Sequence, residues 1–160
     1  MTQSNALPNG RRIKVAILGA TGAVGQTFIR QLVGHPWFTV SAVAASERSA
    51  GQKYGAVTRW IEGTLPADIA GMTVVACEPS QVDAEIVFSA LDSNVAGEIE
   101  GAFAAAGRMV LSNAKNYRME PDVPLVVPEV NPQDIALYKN RGIIANTNCS
   151  TIAMVVALKA

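Results

Sequence analysis

Short apolar runs alternate along this chain with amphipathic stretches, and glycine or proline stands at most of the joins. Ile13-Lys14-Val15-Ala16-Ile17-Leu18 is mostly apolar and stops at Gly19, as a buried strand of a parallel sheet does. A helical repeat follows, with Val24, Phe28, Ile29, Leu32 and Val33 on one face, and Gly34, His35 and Pro36 end it. Residues 38–45 read as a second strand. Residues 46–72 are less regular: Ser, Gly and Lys dominate at first, and 54–61 suits a helix or an irregular excursion equally. A short strand is expected at 73–77 and a clear one at 85–91. An Ala-rich helix is expected at 95–106, closed by Gly107. Strands at 109–111 and 125–127 come next, then a short helix with Asn131 as N-cap and Pro132 in its first turn. A last strand at 143–145 precedes an apolar helix that begins near Ser150 and continues to Ala160 without a cap.

Strands alternating with helices predict an α/β fold, a doubly wound, mostly parallel sheet with helices on both faces. The expected organisation is a polar arm over 1–12, a nucleotide-binding domain over 13–148, and the start of a further helix over 149–160. Composition narrows the function classes. With 49% hydrophobic residues the chain can bury a core, and 13 basic against 13 acidic residues leave no net charge to draw it to nucleic acid. No apolar run approaches the roughly 18 residues that span a bilayer. The polar start does not read as a signal peptide. Cys77 and Cys149 form no CxxC, which excludes a disulfide framework and a Cys-rich zinc site. His35 is the only histidine, and with no placed partner it is a poor candidate for a catalytic base.

Gly19, Gly22 and Gly25 form G-x-x-G-x-x-G between the first expected strand and helix. Glycine permits a tight turn and close approach of a pyrophosphate, and the helix N-terminus supplies free N–H groups and a positive dipole end. In this strand–glycine–helix–strand context the motif predicts a Rossmann-type dinucleotide site. The residues after the second strand, Ala45-Ser46-Glu47-Arg48-Ser49, bear on which nicotinamide cofactor it takes. Glu47 could hold a ribose 2′-hydroxyl, as in NAD enzymes. Ser46, Arg48 and Ser49 offer hydroxyl and guanidinium donors for a 2′-phosphate, which favours NADP, with NAD the alternative.

Asn146-Thr147-Asn148-Cys149-Ser150-Thr151 joins the last strand to the last helix. The helix dipole favours the thiolate of a cysteine at such a start, and backbone N–H groups with Asn148 could hold a developing oxyanion. The alternative is a small buried thiol, as Cys77 in its short strand is expected to be.

In its glycine turn, Ala45-Ser46-Glu47-Arg48-Ser49-Ala50-Gly51, Phe88-Ser89-Ala90-Leu91, Ser112-Asn113-Ala114, Tyr117-Arg118-Met119, Val127-Pro128-Glu129-Val130-Asn131-Pro132 and Asn148-Cys149-Ser150-Thr151, the chain resembles the aspartate-semialdehyde dehydrogenase family, in its archaeal and fungal-like branch. The segments run in the family's order from about residue 13 onward and are specific only together. The resemblance implies that Cys149 is the acyl-thioester nucleophile and that Arg118 binds the substrate's phosphate. Asn113 and Asn148 would line the same pocket. Gly19, Thr21, Gly22, Ala23, Val24, Gly25, Ser46, Arg48, Ser49, Ser89 and Leu91 would contact NADP.

The implied reaction is reductive dephosphorylation of L-aspartyl 4-phosphate to the 4-semialdehyde, in cytoplasmic amino-acid biosynthesis, by a homo-oligomer acting on small molecules without nucleic acid, membrane or metal. Malonyl-CoA reductase and N-acetyl-glutamyl-phosphate reductase are enzyme alternatives. An NADP-binding half-enzyme without turnover is an alternative of another class, because the family's second, α+β domain with the catalytic histidine and most of the dimer interface is expected to lie outside these residues. Two local departures stand out: Asp92 and Thr147 occupy positions where proline is expected.

Overall fold

The computed structural model describes residues 7 and 10–160. Most of the arm expected over 1–12 therefore lies outside the described residues. In β1 (Ile13–Leu18), Val15 to Leu18 are wholly buried, as a central parallel strand covered on both faces requires. Then come α1 (Ala23–Leu32), β2 (Phe38–Ala45), the single turns α2 (Tyr54–Val57) and α3 (Ala67–Ala70), and β3 (Val75–Ala76). The second half of the chain adds β4 (Ile86–Ser89), α4 (Ser93–Ala105), β5 (Met109–Ser112), β6 (Leu125–Val126), β7 (Ile143–Asn146) and α5 (Cys149–Lys159).

The seven strands lie in the order β3-β2-β1-β4-β5-β7-β6, and every pairing between them is parallel. From β1 the chain winds outward through β2 and β3, and from β4 it winds the other way. The crevice between the ends of β1 and β4 is thus the topological switch point, where open α/β sheets bind ligands. Alternate side chains serve two cores. Ala16, Leu18, Val87, Val110 and Ile143 pack toward Phe103 of α4, whereas Val15, Ile17 and Val43 pack toward Ile29 and Leu32 of α1 and toward Tyr54. The β1–β2 register skips Ser41 between Val15↔Val40 and Ala16↔Ala42. The Ser41 hydroxyl donates to the Asp83 carbonyl at 2.7 Å, and the skip keeps Ala42 on the α4 side.

Several expectations need correction. Val24 and Val33 are 45% and 46% exposed, so the buried face of α1 is Gly25, Gln26, Ile29 and Leu32. A polar residue is tolerated there because its hydrogen bonds are all satisfied within the fold. The strand expected at 73–77 contracts to Val75–Ala76, and that at 85–91 to Ile86–Ser89. Pro132–Asn140 is a 3₁₀ segment; Asn131 stands at its N-cap as expected but makes no side-chain cap hydrogen bond. The Asn131 side chain instead accepts from Val127 N at 2.8 Å and donates to the Leu125 carbonyl at 2.9 Å, stapling the turn after β6. No residue of α5 is fully buried. No helix among the described residues is long and apolar enough to cross a membrane.

Candidate active site

The glycine turn sits at the switch point. Gly19 has φ +73°, and a Cβ there would stand 2.7 Å from the Ala90 carbonyl oxygen, so this position requires glycine both for its conformation and for contact with the chain leaving β4. Gly25 is buried, and a Cβ on it would overlap Gly19 O and lie 2.8 Å from Ala20 Cα. Its role is to let α1 press against the turn. Gly22, Ala23 and Val24 are exposed at the helix start, and Gly22 offers no side chain to occupy the first-turn N–H groups. That leaves a cradle of free donors for an anionic group.

Two residues that sequence reasoning missed hold this turn. Gln26, 3% exposed, donates from Nε2 to the carbonyls of Thr21 at 3.0 Å and Arg59 at 3.1 Å, and its Oε1 accepts from Ile61 N at 2.8 Å. The Tyr54 hydroxyl donates to the Ala20 carbonyl at 2.7 Å, and burial pushes the phenol up to about 12. The signal in the sequence was a glutamine on an otherwise apolar helix face.

A cleft of about 800 Å³ opens beside the turn on the α4 side. Ser46, Glu47, Arg48, Cys77 and Leu91 line it, together with Val95 and Ile99 of α4. The structure therefore brings Ser46, Arg48 and Leu91 together. Ser49 stands in the turn behind them, where its N–H donates to the Ser46 carbonyl at 2.9 Å. Glu47 shares the cleft, so both the acid and the guanidinium face the same space. Cys77, expected as core, packs against the α4-side core and also lines this cleft. It is half-buried at the cleft wall, its Sγ donates to the Ala45 carbonyl at 3.6 Å, and burial pushes its thiol up. Ser89 is wholly buried and faces α4, so only the backbone that follows it is open to a ligand.

A second polar cluster lies at the ends of β5 and β7. Arg118 donates from Nε to the Asn146 carbonyl at 2.9 Å and from Nη2 to the Asn113 carbonyl at 3.1 Å. Asn146 donates from Nδ2 to Asn113 Oδ1 at 2.8 Å. Asn113 N–H donates to the Ser89 carbonyl at 3.1 Å, which ties the cluster to β4. Asn146 was not among the expected site residues. Asn148 caps α5, its Oδ1 accepting from Ser150 N at 3.0 Å, so that oxygen is already engaged. Cys149 opens α5, is exposed, and has its Sγ 3.9 Å from Asn148 Oδ1.

Of the two expected prolines, Asp92 replaces one with an N-cap for α4, its Oδ1 accepting from Asn94 N at 2.9 Å. Thr147 replaces the other and is buried. His35 lies elsewhere. It stacks on Phe38 at 4.7 Å and its Nδ1 accepts from Trp37 N at 3.2 Å, at the opening end of β2, across the sheet from Cys149.

These observations fit a dinucleotide. The exposed, uncapped start of α1 leaves first-turn N–H groups open, and the adjoining cleft carries a guanidinium and a hydroxyl suited to a phosphate. The family model described as semialdehyde dehydrogenase, NAD binding domain, matches residues 14–138. The chain is 52% identical over 157 residues to the aspartate-semialdehyde dehydrogenase of Archaeoglobus fulgidus, covering 92% of this chain and 46% of that one. It is 50% identical to the enzyme of the same name from Schizosaccharomyces pombe, covering 92% and 44%. The crystal structure of aspartate-semialdehyde dehydrogenase with NADP from Candida albicans superposes with a TM-score of 0.88 at 45% identity, over 93% of this chain and 46% of that one. The chain thus spans about half the length of the relatives it matches.

Proposed function

The chain belongs to the semialdehyde dehydrogenase family, and from that membership we propose that it serves the reversible, NADP-dependent reductive dephosphorylation of L-aspartyl 4-phosphate to L-aspartate 4-semialdehyde. The observation that carries the reading is the placement of Cys149. It is exposed at the N-terminus of α5, three positions past Asn146, whose carbonyl holds Arg118.

In this reading the Cys149 thiolate attacks the acyl carbon. A C–S bond forms, the acyl C–O bond breaks, and phosphate leaves with the bonding electron pair. The N–H groups at the N-terminal end of α5 favour the oxyanion that develops. Arg118 gives its Nε N–H and one Nη2 N–H to carbonyls, so its fork is fixed and the Nη1 and remaining Nη2 N–H groups are free to meet the departing phosphate. When bound, NADPH supplies the hydride that reduces the thioester carbonyl. Cys149 then leaves as thiolate and the aldehyde is released, as a precursor for lysine, methionine, threonine and isoleucine synthesis. Arg48 and Ser46 in the cleft support NADP over NAD, and so does the presence of NADP in the crystal structure of the Candida albicans enzyme.

A second reading, cofactor binding without turnover by these residues, is favoured by the position of His35. The only histidine of the sequence is across the sheet from Cys149 and cannot move a proton at the reacting carbonyl. One experiment separates the two. Incubation with an acyl phosphate is expected to add one hydroxylamine-labile acyl group to the intact mass, and none to Cys149→Ser. Absence of the adduct refutes the thioester step. An adduct that forms without any oxidation of added NADPH assigns the second reading.

A further inference from the structure

Glu100 is a carboxylic acid with no part in the chemistry above, yet it is wholly buried in the middle of α4. It faces the ends of β4 and β5, where Ser89 and Ser112 are register partners and equally buried. These two strand ends release the loops of the site. Ala114 N–H donates to the Ser112 hydroxyl at 3.2 Å, and Asn113 N–H donates to the Ser89 carbonyl at 3.1 Å. Asn113 in turn accepts from Arg118 and Asn146.

We propose that Glu100 is a positioning residue: as a neutral acid it bridges the Ser89 and Ser112 hydroxyls and so fixes the loop that carries Asn113 and Arg118. This rests on the site reading given above. Neither carboxyl oxygen of Glu100 has a hydrogen-bond partner of standard geometry, and neither does the Ser89 hydroxyl. The two serine hydroxyls nonetheless lie close enough to draw the carboxyl's proton affinity downward against the stronger effect of burial, which pushes it up. A buried carboxylate without a cationic partner is costly, whereas the protonated form can donate to one serine and accept from the other. No ion pair among the described residues includes Glu100. β4 and β5 present Val87, Ser89, Val110 and Ser112 on this side. The titratable group nearest in influence is Tyr117, whose hydroxyl donates to the Gly97 carbonyl at 2.5 Å and whose ionisation the Glu100 charge opposes. Arg141 is spent on the outer side of Tyr117, stacked 4.9 Å from its ring and paired with Asp122 at 3.2 Å.

Burial raises the native carboxyl's proton affinity above that of the unfolded chain, which gives up its proton in the ordinary carboxylate range. Between that range and the raised native value, the folded form binds more protons, and stability falls as pH rises. The full 160-residue chain is compared with Glu100→Gln and Glu100→Leu. The first readout is urea stability from pH 5 to 8. The second is hydrogen exchange of the peptides spanning 89–92 and 112–118, corrected for intrinsic rates. The wild type is expected to lose stability relative to Glu100→Gln as pH rises. Glu100→Gln should keep wild-type protection of both peptides, and Glu100→Leu should lose it about tenfold, as for a lost buried hydrogen bond. A Glu100→Gln stability profile parallel to the wild type's, or a Glu100→Leu chain with full protection at 112–118, overturns the proposal. If Glu100→Leu does not fold, the wild-type and Glu100→Gln profiles decide alone. Neither readout uses cofactor or substrate, so failure of NADPH to bind would overturn the functional reading and leave this result standing.

Discussion

The Gln26 side chain holds the backbone of Thr21 from five residues further along the chain, with Nε2 donating to the Thr21 carbonyl at 3.0 Å. The same amide reaches Arg59 and Ile61, so one side chain joins the glycine turn to the irregular segment after β2. Gln26→Leu keeps the shape of the buried position but strands those backbone groups. It should lower stability by about 1–3 kcal/mol and weaken NADPH binding together with it. Urea denaturation and fluorescence titration measure the two effects, and unchanged values in both would mean that the turn is held by Tyr54 alone.

The two cysteines should differ in reactivity. Cys149 is exposed at the start of α5, whereas Cys77 is half-buried with its thiol pushed up by burial. Near neutral pH, iodoacetamide should label Cys149 at least about tenfold faster. Because the Cys77 value is raised, its labelling should catch up only in alkaline solution. Peptide mass spectrometry against time is the check, and equal rates at neutral pH would contradict the nucleophile role.

Cofactor selection should depend on Arg48. It lines the cleft with Ser46, in a turn secured by the Gln52 side-chain amide donating to the Arg48 carbonyl at 2.9 Å. NADPH should bind more tightly than NADH, and Arg48→Ala should remove most of the difference, about 1.5–3 kcal/mol for a hydrogen bond to a charged group. Calorimetric titration that finds equal affinities in the unmutated chain would assign the decisive role to Glu47 instead.

Arg118→Lys is not a conservative change here. The guanidinium reaches the Asn146 and Asn113 carbonyls through two different nitrogens, and a single ammonium cannot span both and also face a phosphate. Inorganic phosphate should bind about tenfold more weakly or worse to the variant, in line with the loss of a charge-assisted hydrogen bond. Calorimetry with phosphate tests this. Wild-type affinity in Arg118→Lys would show that phosphate is held elsewhere.

The sheet, its parallel sense and the glycine turn were legible in the sequence because each is a local pattern. An apolar run between glycines has few alternatives to a buried strand, and a strand–glycine–helix join has a narrow set of conformations. The family was legible too, through motifs whose order matched it, and so was the placement of Cys149 at the start of a helix. Tertiary structure alone decided which side chains support them. Gln26 looked like a polar interruption of a helix face until the 59–61 backbone folded over it. Asn146 became part of the site because β5 and β7 are neighbours in the sheet, although Asn113 and Asn146 are 33 residues apart. Cys77 packs against the core and yet lines a cleft because it follows β3, an edge strand of only two residues. Glu100 is one of two charges, with Glu98, on an Ala-rich helix. Its burial depends on which face of α4 meets the ends of β4 and β5, and the weak amphipathic pattern of alanines and glycines leaves that rotation open until the strands are in place.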